Sequence, residues 1–247
     1  MTSSLFGSAQ RSVWFTADQH LGHERIIEIR QRPFDSVAQM NRELIDRHNM
    51  LVEEQDIVWI MGGICGGPDL ETTERSLSLI KELNGTKYLI AGNCDLCFTG
   101  YLGAGPMVDP KQRERWIAQY LDAGIKHVST GSALAHKFGT PVRLRLGGHA
   151  IDLAAFPYES EGDQRWQAWR PRRPGRASRG RFSAAAAAAA KLPTSSPSDP
   201  WLVHGHVHNA WRVHNRQINV GVDMWNYAPV AAEMVTALIN EQDEQAS

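Results

Sequence analysis

Short apolar runs alternate along the first part of the chain with segments whose apolar residues recur every three or four positions. Residues 13–17, 57–61 and 87–91 are largely apolar, which is the pattern of strands buried on both faces of a sheet. Residues 36–54 and 70–83 place their apolar side chains at helical spacing, which predicts amphipathic helices. Because strands joined through a helix follow a right-handed crossover, this order predicts parallel strands in one sheet.

Other segments also predict helices. Residues 23–30 and 110–121 each carry an apolar stripe, and residues 229–239 predict a closing helix with Pro229 at its start, a position that proline favours. Ser36 is suited to begin the helix at 36–54, because its hydroxyl can accept a hydrogen bond from a free backbone N–H of the first turn.

The second half of the chain carries shorter apolar segments separated by glycine and proline turns, which predicts a second, more antiparallel sheet. Its predicted strands are residues 126–130, 133–138, 142–146, 150–154, 201–204, 210–214 and 217–222. Two sheets with outer helices make this an α/β protein, and we expect a four-layer α/β/β/α sandwich of two mixed sheets.

Length and charge narrow the function classes. At 247 residues the chain predicts a single domain over residues 1–247. Its net charge of −1 and sequence pI near 6.8 give no general attraction to nucleic acid or to an anionic membrane. No apolar run approaches the roughly 18 residues of a membrane span, and three cysteines fit a reducing compartment, so we expect a cytoplasmic protein without a membrane partner.

The composition changes at about residues 159–200, where arginines are followed by a run of alanines and then by proline and serine. This pattern predicts a low-complexity Arg/Ala-rich insertion with solvated charges. The arginines could also steer a phosphate-bearing or nucleic-acid substrate, although the solvated insertion is favoured.

Two polar loops follow predicted strands at opposite ends of the chain. Asp18-Gln19-His20 follows residues 13–17, and His206 and His208 follow residues 201–204 in the sequence Gly-His-Val-His. Carboxylate and imidazole groups together suit a borderline divalent metal such as Mn, Fe or Zn. Taken alone, either motif could equally be a solvated polar loop.

Two further loops, at residues 62–67 and 92–95, complete a pattern. In motif order and in the strand before each motif, the chain resembles the calcineurin-like metallophosphoesterases, whose signature runs Asp-x-His, Gly-Asp, Gly-Asn-His-Asp, a lone His and Gly-His-x-His. The flanking sequences, including residues 219–223, are similar to a small bacterial and phage branch of predicted phosphoesterases. The resemblance implies metal-dependent hydrolysis of a phosphoester.

Three positions depart from the family pattern. Gly63 stands where the family has its metal-bridging aspartate, Cys94 where it has a phosphate-contacting histidine, and Ala155 where it has a metal-ligand histidine. The resemblance assigns the first metal to Asp18, His20 and His208 and the second to Asn93 and His206. With the bridging carboxylate and one imidazole missing, we expect one ion rather than two.

Three hypotheses follow. The first is a metallophosphoesterase that is impaired or inactive, that is, a pseudoenzyme. In it Asp95, which follows Cys94, has lost its histidine partner. The alternative is a non-catalytic module that retains a mononuclear metal site and binds a phosphorylated small molecule, a nucleotide or a partner. The third is a single-metal or thiol-dependent enzyme that uses Cys94. The polar residues without an assigned role are His23, Asp69, His149 and Asp152, of which His23 is the best site candidate because it follows the first loop directly.

Overall fold

The computed structural model describes residues 11–66, 70–98, 110–130, 142–157 and 200–245. The predicted strand at 133–138 and nearly all of the predicted insertion lie outside these residues. The strands are Val13–Thr16 (β1), Ile57–Ile60 (β2), Thr86–Ile90 (β3), Ile125–Ser129 (β4), Val142–Leu146 (β5), His149–Leu153 (β6), Trp201–His204 (β7), Val213–His214 (β8), Gln217–Asn219 (β9) and Val230–Ala231 (β10). The helices are Arg25–Arg30 (α1), Val37–Leu51 (α2), Leu70–Ile80 (α3), Pro110–Asp122 (α4) and Ala232–Gln245 (α5).

The first sheet has the strand order β10-β1-β2-β3-β4, in which β1 to β4 are parallel and β10 is antiparallel to β1. The parallel order predicted for the first three strands is therefore confirmed. The assignment of residues 126–130 to the second sheet is wrong. Helix α4 returns the chain across the sheet, so β4 pairs in parallel with β3, as a strand-helix-strand crossover requires.

The helix predicted at residues 229–239 begins later than expected. Val230 and Ala231 first pair with Phe15 and Trp14 of β1, and the helix starts at Ala232. Here the pairing at the sheet edge outweighs the preference of proline for a helix start. The predicted cap on α2 is confirmed, because Ser36 Oγ accepts a hydrogen bond from the backbone N–H of Gln39 at 3.2 Å.

The second sheet has the order β5-β6-β7-β9-β8 and is mixed, as predicted. The pairs β5–β6 and β8–β9 are antiparallel, whereas β6–β7 and β7–β9 are parallel. The strands predicted at 210–214 and 217–222 are shorter than expected. After β9 the chain leaves the sheet, because the N–H of Val222 bonds to the carbonyl of Ala17 in the first sheet, and residues 222–224 form a 3₁₀ turn.

Apolar side chains form two cores, one on each face of the first sheet. On one face, residues of α2, α3 and α4 such as Leu44, Ile80 and Tyr120 pack against β2 and β3. On the other face, Phe15 shares a core with Val203 of the second sheet, and α5 contributes to it as well. The two sheets therefore meet across a common apolar layer, which brings the ends of β1, β2, β3 and β7 together. Among the described residues, no helix is both long and apolar enough to cross a membrane.

Candidate metal centre

Three buried side chains from two distant loops converge at the ends of β1 and β7. Asp18 and His20 follow β1 and His208 follows β7, and one ligand atom from each lies within 4.8 Å of the others. Their exposed fractions are 4%, 3% and 2%. The rings of His20 and His208 stack with their centroids 5.2 Å apart. This arrangement can hold a cation through one carboxylate oxygen and two imidazole nitrogens.

The backbone of both loops has positive φ angles, which residues other than glycine rarely adopt. The φ angles of Asp18, His20, His206 and His208 are 58°, 54°, 77° and 52°. Such left-handed positions cost roughly 1–3 kcal/mol each and persist only where the surroundings enforce them. The first loop is tied to the loop after β2, because the N–H groups of Asp18 and His20 donate to the carbonyls of residues 62 and 63 at 3.0 and 2.7 Å. These strained backbone positions are the residues whose side chains converge, and backbone strain of this kind is common at functional sites.

Two glycines allow the loops to approach Asp18. A Cβ placed on Gly205 would lie 2.4 Å from the Cβ of Ala17, and one placed on Gly221 would lie 2.9 Å from Asp18 Oδ2. Either contact would push the loop away, since real Cβ atoms do not come that close. The glycine that precedes His206 is therefore required so that the His206 N–H can donate to Asp18 Oδ2 at 2.7 Å.

Burial shifts the pKa of two of the converging groups, Asp18 and His20. Burial raises the pKa of Asp18 above its ordinary value, although the neighbouring His208 and the N–H of His206 partly oppose the rise. Burial, together with the nearby His208 and Arg32, lowers the pKa of His20 well below its ordinary value. His20 is therefore neutral at neutral pH, which is the form that ligates metals. A cation at this point would relieve the desolvation of the Asp18 carboxylate.

Two further residues, Asp223 and Arg32, were not predicted from the sequence and contact this cluster through His208. Asp223 Oδ2 accepts a hydrogen bond from His208 Nδ1 at 2.8 Å. Arg32 donates to both oxygens of Asp223, at 2.8 and 3.0 Å, and its side chain is fully buried. Burial alone would raise the pKa of Asp223, but the hydrogen bonds from His208 and Arg32 outweigh it and lower that pKa to about 2.

The sequence carried a signal for only one of these residues. Asp223 ends the segment 219–223, which contributed to the family resemblance but received no role. Arg32 comes two residues after the predicted helix at 23–30, and nothing in its sequence position indicates that it reaches the ligand loops.

The two residues assigned to a second metal also lie together. His206 Nδ1 is 3.1 Å from Asn93 Oδ1, and the ring of His206 packs against Phe156 with the centroids 4.9 Å apart. Burial, followed by the charges of nearby histidines, lowers the pKa of His206 to about 3. The contact between the two side chains therefore occupies groups that the family resemblance assigns to a second ion.

The position of Gly63 faces the cluster directly. A Cβ placed there would lie 3.0 Å from Asp18 Oδ1 and 3.3 Å from His20 Nε2. Ala155 lies between the loops that follow β2 and β3, since its Cβ is 3.2 Å from the place of a Cβ on Gly62 and 3.5 Å from that of one on Gly92. Both altered positions therefore lie among the loops that surround the cluster.

Cys94 is half-buried beside Asn93, whose side-chain nitrogen is 3.6 Å from the sulfur. Burial and the negative charges of Asp95 and Asp18 raise the pKa of this thiol to about 12. Cys94 is consequently a neutral thiol at physiological pH. A nucleophilic role needs the thiolate, so the electrostatics disfavour the thiol-dependent hypothesis.

Asp95 has no histidine partner at position 94, as expected, but backbone groups take the place of that partner. Its carboxylate accepts hydrogen bonds from the backbone N–H groups of Gly63, Ile64 and Gly92 at 2.9, 3.3 and 2.8 Å, and the Tyr120 hydroxyl lies 3.5 Å away. Asp95 thus joins the loop after β2 to the loop after β3. Burial raises its pKa to about 6 even though these N–H groups oppose the rise.

The remaining polar candidates divide into two groups. The Nδ1 atoms of His23 and His20 are 3.5 Å apart, so His23 borders the cluster. His149 instead bonds to Asn240, and Asp152 forms an ion pair with Arg143 on the second sheet. Those contacts give His149 and Asp152 structural roles. Asp69 lies outside the described residues.

Arg30 supplies positive charge near the cluster. Burial lowers the pKa of this half-buried arginine to about 10, although the carboxylates of Asp223 and Asp18 oppose the decrease. Its charge acts on Cys94 and His206. Arg30 therefore remains cationic at neutral pH, in addition to the Arg32–Asp223 ion pair.

Comparisons with known proteins describe relatives of the whole chain. No protein-family model matches it. The chain is 29% identical to the gene 66 protein of Mycobacterium phage L5 over 244 residues, which are 95% of this chain and 97% of the phage protein.

Solved structures extend the comparison. A protein of unknown function from Aquifex aeolicus is similar with a TM-score of 0.54 and 16% sequence identity, over 93% of this chain and all of that one. A novel archaeal phosphodiesterase has a TM-score of 0.32 and 10% identity, over 85% of this chain and 82% of its own. The likeness to the Aquifex aeolicus protein shows a shared fold, so the chemistry has to be inferred from the residues.

Proposed function

We propose that this chain is a metallophosphoesterase-like α/β/β/α sandwich that binds one divalent cation through Asp18, His20 and His208. Its parent reaction is hydrolysis of a phosphoester, and this copy is impaired in that reaction. The observation that carries the proposal is the convergence of three buried ligand groups, two of which lie beside residue 63, a position that offers no carboxylate.

The residues fit a borderline metal. One carboxylate oxygen and two imidazole nitrogens suit Mn, Fe or Zn, and three protein ligands leave coordination positions for water and substrate. When bound, such an ion acts as a Lewis acid and lowers the pKa of a bound water. His20 supports this role because burial already keeps its ring neutral.

Catalysis is impaired at three points around the same site. Gly63 supplies no bridging carboxylate that would hold a second ion at the spacing that two-metal hydrolysis uses, about 3.5–4 Å. Asn93 and His206 remain but bond to one another. Cys94 is a neutral thiol, so it offers the leaving group a poor proton donor, and general acid catalysis typically contributes about 10²- to 10⁴-fold.

The substrate class follows from charge. Arg30 remains cationic near Cys94 and His206, which suits a phosphate group on a small molecule or nucleotide. The net charge of −1 does not favour nucleic acid as the general partner. We therefore propose a phosphorylated small molecule or nucleotide as the ligand.

A second candidate function is capture of such a ligand without turnover. It is favoured by the contrast between an intact ligand cluster and three altered positions around it. If metal and phosphate binding are retained while hydrolysis is absent, the chain acts as a binding module.

Metal content and hydrolysis separate the two functions. The purified chain is loaded with Mn²⁺, dialysed, analysed for metal, and assayed with p-nitrophenyl phosphate and bis-p-nitrophenyl phosphate. We expect one ion per chain in the wild type and none in Asp18→Asn. Weak turnover that depends on the ion identifies an impaired enzyme, and bound metal without turnover identifies a binding module. Asp152→Asn is the matched control, because it removes a buried carboxylate paired with Arg143 on the second sheet. Wild-type protein without metal, or with unimpaired turnover, would refute the proposal.

A further inference from the structure

The side chain of His208 is held on the side away from Asp18 by a buried carboxylate. We infer that Asp223, itself held by Arg32, is a positioning residue that fixes the ring of His208, with Nδ1–H on Asp223 and Nε2 facing Asp18 and His20. This inference deepens the proposed function and rests on it, since it concerns how the chain prepares its own ligand for a cation.

The two nitrogens of His208 have different surroundings. Nδ1 is 2.8 Å from Asp223 Oδ2, whereas Nε2 is 4.0 Å from Asp18 Oδ1. A histidine that donates Nδ1–H keeps the lone pair of Nε2 available. Histidine ligands of metals usually donate their other N–H to a carboxylate or carbonyl, which fixes the tautomer and the ring orientation.

Arg32 keeps the carboxylate of Asp223 from rotating, because it bonds both oxygens in a two-pronged contact. The same guanidinium donates to the backbone carbonyls of Asp18 and Gln19 at 2.6 and 2.9 Å. One side chain therefore connects the loop of the first two ligands with the residue that orients the third. This contact and the hydrogen bond from the His206 N–H to Asp18 Oδ2 both join the two ligand loops.

The backbone of His208 is fixed by the same short segment of sequence. Asn219 Nδ2 donates to the carbonyls of His208 and Trp211 at 2.7 and 2.8 Å, and Asn219 Oδ1 accepts from the N–H of Gly221 at 2.9 Å. Both ends of segment 219–223 thus contact His208. Asn219 binds its main-chain carbonyl and Asp223 binds its ring. This gives a physical role to a sequence feature that the ligand assignments left unexplained.

Nuclear magnetic resonance on the metal-free full chain tests the inference without any substitution at Asp223. Imidazole ¹H–¹⁵N spectra of protein labelled with ¹⁵N-histidine are recorded at about pH 8, and His208 is assigned by the loss of its signals in His208→Gln. We expect Nδ1 to be protonated, with its proton shifted downfield by the carboxylate. An unprotonated Nδ1 on His208 would overturn the inference.

Zn²⁺ binding by calorimetry provides the second readout. Asp223→Asn should weaken Zn²⁺ affinity about 10- to 100-fold, the usual effect of removing such a partner, and Asp152→Asn should bind as the wild type does. Arg32→Lys loses the two-pronged contact and should show a smaller loss in the same direction, so it carries the test if Asp223→Asn does not fold. Unchanged Zn²⁺ affinity in the folded variants would overturn the inference.

The two proposals fail in different ways. If the wild type binds no Zn²⁺, the proposed function fails, and the protonation of His208 Nδ1 then decides the positioning role alone. If the wild type binds Zn²⁺ and His208 Nδ1 is unprotonated, the metal site stands and the positioning role of Asp223 is refuted.

Discussion

Replacing Gly63 with aspartate should make the stability of this protein strongly dependent on metal. The backbone at residue 63 has a φ of 67°, and a Cβ there would lie 3.0 Å from Asp18 Oδ1. A side chain in this left-handed conformation costs roughly 1–3 kcal/mol. Asp18 itself adopts a φ of 58°, which shows that the neighbouring loop tolerates aspartate in this conformation.

The new carboxylate would also repel Asp18. Two unit charges about 4 Å apart interact by up to roughly 4 kcal/mol at an effective dielectric constant near 20. Together with the backbone strain, the metal-free Gly63→Asp protein should lose roughly 1–7 kcal/mol of unfolding free energy. A cation bound by both carboxylates turns their repulsion into a net attraction to the cation. A cation present at 100 times its Kd adds about 2.7 kcal/mol to the free energy of unfolding.

Urea unfolding with EDTA and with excess Mn²⁺ measures this effect. Gly63→Asn is the matched control, because it has the same size and the same tolerance of the left-handed conformation but lacks the charge. We expect Mn²⁺ to stabilise Gly63→Asp clearly more than either Gly63→Asn or the wild type. Equal stabilisation of all three proteins would show that residue 63 does not face a cation.

The same reasoning extends to the combined variant. Gly63→Asp, Cys94→His and Ala155→His together should raise the metal content from at most one ion to two and recover hydrolysis of p-nitrophenyl esters. Metal analysis and steady-state assays check both outcomes. An unchanged metal content in a folded triple variant would refute the assignment of these three positions.

Three further predictions concern single residues. Burial lowers the pKa of His48 to about 4 from 6.5, with a hydrogen bond to the Asn84 carbonyl opposing the shift. The stability that neutral His48 contributes is thus fully present above pH 6.5 and is lost as the pH falls toward 4. The free energy of unfolding should fall by about 2 kcal/mol between pH 7.5 and 5. In His48→Gln, urea unfolding should show a smaller fall over the same pH range, and an equal fall would contradict the assignment. Burial raises the pKa of Cys94 to about 12, so iodoacetamide should alkylate it much more slowly than free cysteine at pH 7.5 by mass spectrometry, and any turnover should survive thiol alkylation. Asp95→Asn places an amide NH₂ group where backbone N–H groups point, so it should cost about 1–3 kcal/mol in thermal unfolding, and an unchanged melting temperature would argue against this contact.

The sequence predicted the parallel strands of the first sheet because their apolar runs and the helices between them obey the crossover rule. Strand β4 follows α4 in the same way, so the rule also applied to it, but its short mixed sequence was grouped with the strands that come next. The short edge strand β10 had no recognisable signal. Two residues that pair at a sheet edge carry no periodicity, and their placement depends on β1, more than 200 positions earlier in the chain.

The site was predictable to the extent that its residues are part of motifs. Asp18, His20 and His208 were singled out because a carboxylate and imidazoles follow strands and because the order of the motifs resembles that of the metallophosphoesterases. The contacts of Asp95 with backbone N–H groups were not predictable, since an N–H group is present at almost every residue and leaves no mark in the sequence. Arg32 was missed for a related reason: its partners are two main-chain carbonyls and an aspartate that lies 191 positions away.

Anomalous X-ray diffraction from crystals of the wild-type chain soaked in Mn²⁺ tests the central claim most directly. We predict a single strong manganese peak within bonding distance of Asp18, His20 and His208, and no second peak between Asn93 and His206. Two peaks bridged at this site, or a manganese ion bound elsewhere with this cluster left empty, would contradict the account.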